Sequence, residues 1–106
     1  MADTSKRLAF LQKLTSEGST DPFAWYGLAM EYRTLGRHDE ALATFDTLRQ
    51  RNPDYVAMYL MCGQMLEKLG RLDEARAWMT SGLQAAQQKG DAHAASELEG
   101  ALGALG

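Results

Sequence analysis

Apolar residues recur along this chain at spacings of three and four, the pattern of helices that bury one face. Between residues 22 and 34 they are Trp25, Leu28, Ala29 and Tyr32, and between 39 and 51 they are Ala41, Leu42, Phe45 and Leu48. The plan returns in Tyr59, Cys62, Gly63 and Leu66, and again in Ala75, Met79, Gly82 and Ala86. Two further stripes flank these four, Leu8, Leu11 and Leu14 ahead of them and Ala95, Leu98, Leu102 and Leu105 behind. Breaks fall between the stripes. Asp21 followed by Pro22 reads as an N-cap and a first helical residue, and Asp39, Asp54, Asp73 and Asp91 are expected to cap in the same way. Leu35-Gly36 and Leu69-Gly70 read as turns in which glycine takes a left-handed conformation; Asn52-Pro53 and Lys89-Gly90 read as stops. The prediction is an all-α chain of about six helices.

The helices are not independent. Leu35-Gly36-Arg37-His38-Asp39-Glu40-Ala41 returns 34 residues later as Leu69-Gly70-Arg71-Leu72-Asp73-Glu74-Ala75, with one difference in seven. The same offset pairs Trp25 with Tyr59, Ala29 with Gly63, Phe45 with Met79 and Leu48 with Gly82, so the repeat extends well beyond one turn. Leu8, Leu11 and Leu14 shift onto Leu42, Phe45 and Leu48, which makes the first stripe the second helix of an incomplete unit. A period of this length signals stacked helix-turn-helix units, none of which can bury its apolar face alone.

Trp25, Leu28, Ala29, Tyr32, Ala41, Phe45 and Pro53 resemble the motif of the tetratricopeptide repeat, with Ala29 in place of the usual glycine. The second unit keeps Gly63 and Ala75, puts Tyr59 and Met79 at the large positions, and has Gln87 where the proline would stand, so its last helix is expected to run on by a turn. The resemblance implies an α-solenoid of antiparallel helical hairpins with right-handed superhelical stacking. Its parts would be an N-terminal half repeat at 3–17, repeats at 22–55 and 56–89, and a capping helix at 91–105, all in a single domain spanning 1–106.

It also implies a function. In this family the first helices of successive units line a concave groove that receives a protein partner. Positions off the buried stripe are expected to line it: Phe23, Tyr26, Met30 and Arg33 in the first unit, and Ala57, Leu60, Met61, Gln64 and Glu67 in the second, with Ala94 and Leu98 of the capping helix. That surface is apolar and rich in methionine, which suits a partner helix or peptide with apolar anchors. The alternative is a homodimer in which the same groove is covered by a second copy. The Lys, Arg and Asn ring with which some family members hold acidic chaperone tails is missing, since those places carry Tyr26, Met30, Leu60 and Gln64.

Composition narrows the remaining classes. A net charge of −3 with interspersed signs gives no attraction to nucleic acid or an anionic membrane surface. No apolar run approaches the ~20 residues of a membrane span, and a cytoplasmic location is expected. The single cysteine, Cys62, lies on a buried stripe and reads as a small core residue. His38 and His93 have no nearby partners for a metal site, and the pairs Asp39-Glu40 and Asp73-Glu74 serve helix starts. No acid, base and nucleophile converge, and no glycine-rich phosphate loop occurs, so neither an enzyme nor a cofactor is expected.

Overall fold

The computed structural model describes residues 5–106, and all regular structure among them is helical. The helices are α1 (Lys6–Ser16), α2 (Pro22–Thr34), α3 (His38–Arg51), α4 (Ala57–Lys68), α5 (Leu72–Lys89) and α6 (Ala92–Leu105). They form two compact units that divide between Asn52 and Pro53. In the first, α2 pairs with α3 and α1 lies against α2. In the second, α4 pairs with α5, and α6 lies against both.

Local chemistry sets the ends of these helices. Residues 3 and 4 of the expected first helix lie outside the described residues; the Leu8 N–H donates to Ser5 Oγ at 2.9 Å, which caps α1. Asp21 and Asp91 cap as the sequence suggested, accepting from the amides of Phe23 and Ala94. Asp39, Asp73 and Asp54 do not. The N-cap positions of α3 and α5 fall on Arg37 and Arg71, placing Asp39 and Asp73 inside the first turn, and α4 starts behind Val56. The acids still face the positive end of the helix dipole, but the side chains that tie these starts together are Arg37 to Glu40 and Arg71 to Glu74, each a two-pronged pair. The hydrogen bond from arginine holds both glutamates below the usual carboxylate value.

Both hairpin turns use one device. Gly36 and Gly70 stand at φ +77°, where a side chain would be strained. The amide of Arg37 reaches back to the Tyr32 carbonyl and that of Gly36 to Arg33, with the same two bonds at Arg71 to Leu66 and Gly70 to Glu67. Lone carbonyls at the helix ends are thereby satisfied and the chain reverses. With Gln87 in place of proline, α5 reaches 18 residues against 14 in α3.

Inside the second hairpin the helices approach closely at two glycines. A Cβ on Gly63 would stand 2.7 Å from Met79 Cγ, and one on Gly82 would stand 2.4 Å from Tyr59 Cβ. Behind this contact Val56, Met79, Ala86 and Leu98 form a buried cluster, flanked by Leu60, Leu83, Leu102 and Leu105. Gly82→Ala is therefore expected to lower stability by about 1–3 kcal/mol through overpacking. Gly100→Ala, with nothing within 4 Å of the added methyl, should instead gain up to about 1 kcal/mol from helix propensity. Urea denaturation of the two variants would show this opposite pair of shifts, and equal shifts would contradict the close approach.

Candidate functional site

The positions off the buried stripes divide by unit. In the first, Tyr26, Met30 and Arg33 are half-buried on α2. The Arg33 guanidinium lies 3.9 Å from the Met30 sulfur, and burial pushes the Tyr26 phenol above its ordinary value of 10.0, with the Arg33 charge acting the other way. Phe23 is 64% exposed and turns toward α1, where it lines a cleft of about 200 Å³ with Arg7, Phe10, Leu14 and Asp21.

In the second unit α4 and α6 enclose an open cavity of about 230 Å³. Its walls are Val56, Ala57, Leu60, Ala94 and Leu98, and its rim carries Asp91, His93 and Glu97. His93 Nε2 and Glu97 Oε1 stand 3.6 Å apart on that rim. Leu60 and Ala94 are half-buried, so they present apolar surface while resting on the cluster below. Leu98, expected as a groove residue, is 1% exposed and forms the floor instead. Met61, Gln64 and Glu67 are half-buried on α4 but are not part of the cavity wall.

Among the stripe residues Leu28, Ala29, Tyr32, Ala41, Phe45, Tyr59, Gly63, Ala75 and Met79 are buried. Two differ from the sequence expectation. Pro53 is exposed and acts through its carbonyl, which accepts from the Tyr59 hydroxyl at 2.5 Å. Trp25 is only half-buried. Its indole N–H donates to the Ser19 carbonyl at 2.9 Å, and the Arg51 guanidinium sits 4.6 Å above its ring. Ser19 and Pro53 stand 34 residues apart, as do Trp25 and Tyr59, so one bond recurs in both units. A buried indole or phenol needs a polar partner, and this one ties each first helix to the segment that leads into it. Trp78, which lies outside the stripes read from the sequence, is buried with its ring 6.0 Å from Tyr59. Met58 and Met65 are also buried and were missed.

The chemical alternatives gain little from this geometry. Cys62 is a buried thiol on the inner stripe of α4. His38 is the first residue of α3, and its buried Nδ1 has no hydrogen-bond partner. Among the described residues no three His, Cys, Asp or Glu side chains are grouped to hold a metal ion, and no helix is long and apolar enough to cross a membrane.

Helical hairpins of 34-residue period, with glycine turns and apolar first-helix faces, define an α-helical repeat protein of the kind that offers a surface to other proteins. A family profile described as the tetratricopeptide repeat matches residues 26–92, and the chain belongs to that family. No curated protein matches it. Among solved structures it is similar to a tetratricopeptide repeat domain protein from Salinibacter ruber. The identity is 35%, over 80% of this chain and 94% of that one, with a TM-score of 0.73 for the crystal structure. A Bordetella parapertussis protein solved in solution gives a TM-score of 0.80 at 25% identity, over 96% of this chain and 89% of that one. The tetratricopeptide repeat fold generally mediates contacts between proteins and is generally not catalytic.

One titration follows from the site. The Tyr26 phenol is held neutral by burial, so its contribution to stability is complete below pH 10 and is lost as the pH rises through its raised native value. An ultraviolet difference titration between the chain and Tyr26→Phe should reveal a phenol ionising above 10.0. One ionising at or below that value would contradict its burial.

Proposed function

We propose that this chain is a protein-interaction module that binds a helix or an extended peptide on the apolar faces of its first helices. On α2 the contact would be made by Phe23, Tyr26, Met30 and Arg33, and on α4 by Ala57, Leu60, Met61, Gln64 and Glu67, with Ala94 beside them on α6. The observation that carries the reading is the α4–α6 cavity, whose walls are aliphatic and whose charged groups are confined to the rim. Recognition surfaces have this build, since apolar burial supplies affinity while the polar rim orients the partner. Its volume suits one large side chain of a guest, and the Leu60 and Ala94 side chains would pack on it. On α2, Met30 supplies a polarisable surface that adapts to partners of more than one shape.

The test is a titration of isotope-labelled chain with a panel of amphipathic peptides, read by amide shifts. Shifts should concentrate at Ala57, Leu60 and Ala94 and at Tyr26 and Met30. Leu60→Glu should weaken binding at least tenfold, or about 1.4 kcal/mol, with helical content unchanged by circular dichroism. Shifts confined to the exposed residues of α3 and α5 would overturn the assignment.

A further inference from the structure

We propose that the guest of the α4–α6 cavity is a basic amphipathic peptide. One large apolar side chain enters the cavity, and a lysine or arginine one helical turn away meets Asp91 and Glu97. This rests on the proposed binding of a partner's side chain in that cavity, and it adds the partner's charge. The argument begins with the rim. Of the residues that line the cavity, Asp91 and Glu97 are acidic, His93 is the third polar one, and none is Lys or Arg. With the imidazole uncharged, the rim carries two negative charges and no positive one.

The cations of this unit do not offset them. Helix α6 has no Lys or Arg, and α4 has one, Lys68, in its last turn and outside the cavity wall. Arg71 is paired with Glu74, and the Arg76 guanidinium donates to the Gly106 carbonyl at 3.3 Å. Lys89 donates to the Asp54 carbonyl at 3.2 Å, beside Pro53 and Ala85. Both α4 and α6 begin at the cavity, and each positive helix end contributes about half a charge there. Two carboxylates exceed that sum, so the mouth of the cavity is negative. A recess with apolar walls concentrates the field of charges of one sign at its edge.

Neither carboxylate is neutralised by its structural part. Asp91 accepts the Ala94 N–H at 3.0 Å as the cap of α6, and a cap of this kind keeps its charge. Glu97 stands 3.6 Å from His93, farther than a hydrogen bond, and its side chain is 51% exposed. A third carboxylate lies on the same side. Leu60 lines the cavity, and Glu67 follows it by seven residues, or two turns, so Glu67 shares that side of α4.

The apolar half of the guest follows from the walls. Leu60 and Ala94 flank a space of about 230 Å³ above Leu98, which admits one aliphatic or aromatic side chain. On a guest helix the residues three and four positions from that anchor stand about 5–6 Å from it. The stem of a lysine or arginine there lies along the apolar wall while its head stays in water beside the carboxylates. An acidic residue in the same place meets like charge, and such a juxtaposition rejects wrong partners. Opposite charge speeds encounter and fixes the register in which the anchor enters.

Three synthetic helical peptides of equal length and identical leucine face, with lysine, glutamine or glutamate at the flanking positions, test this by titration calorimetry. The lysine peptide should bind about tenfold tighter than the glutamate peptide, or about 1.4 kcal/mol, with the glutamine peptide between them. Raising the salt to about 1 M should shrink that ratio. The ratio should also fall toward one in the double variant Asp91→Asn, Glu97→Gln, in which asparagine keeps the cap and circular dichroism should show the helices intact. Equal binding of the three peptides, each lost on Leu60→Glu, would overturn the basic partner and leave the apolar site standing. Failure of all three to bind would overturn both readings. A dimer that excludes the peptides and dissociates on Leu60→Glu would give the cavity to a second copy and overturn the proposal as well.

Discussion

The structure depends on how closely two helix backbones approach inside a hairpin. At Gly82 the absence of a side chain lets Tyr59 lie directly on the backbone of α5, and at Gly63 the same absence admits Met79. These are reciprocal contacts, a large residue of each helix entering a gap in the other. Interiors are packed densely enough that one added methyl is felt, so glycine here sets the interhelical distance rather than flexibility. Tyr59 could not hold this place by apolar contact alone. Its hydroxyl is anchored on the Pro53 carbonyl, which fixes the ring and the entry of α4 together. Trp25 repeats the bond on Ser19 in the first unit, so in each unit one aromatic ties the first helix to the segment that leads into it.

Much of this was legible in the sequence because it rests on residues that can do only one thing. The echo of Leu-Gly-Arg-x-Asp-Glu-Ala marked both turns, and glycine at positive φ is a backbone requirement visible in the residue itself. The six helices followed from spacing. What misled was chemistry with more than one outlet. An aspartate one residue into a helix looks like a cap one residue before it, and Asp39 and Asp73 proved to be first-turn acids beside arginine–glutamate pairs. Asp54 had the composition of a cap, but the chain runs on to Val56 before α4 begins. The aromatic-to-carbonyl bonds left no trace, since every residue has a carbonyl and nothing marks Ser19 or Pro53 as an acceptor. Trp78 lies outside the stripes read from the sequence.

The surface carries the same logic into function. Each buried stripe leaves an opposite face on its first helix, and on α4 that face, together with α6, encloses a cavity with a greasy wall and a charged rim. Leu98 lies at its floor because α6 must bury something to stay attached, and one fully covered leucine in a helix of small residues does that. Gly100 and Gly103 weaken α6 by propensity, yet the helix continues to Leu105, held by Leu102 and Leu105 against the neighbouring cluster.

The central claim is that the hairpin closes by a side chain resting on a glycine backbone. Nuclear Overhauser contacts in solution measure that proximity directly. The Tyr59 ring and β protons should show strong contacts to the Gly82 α protons, and the Leu98 methyls should show contacts to the same glycine. If the Tyr59 protons instead gave contacts only within α4, with none to Gly82, the two helices would not approach as described and the account would fail.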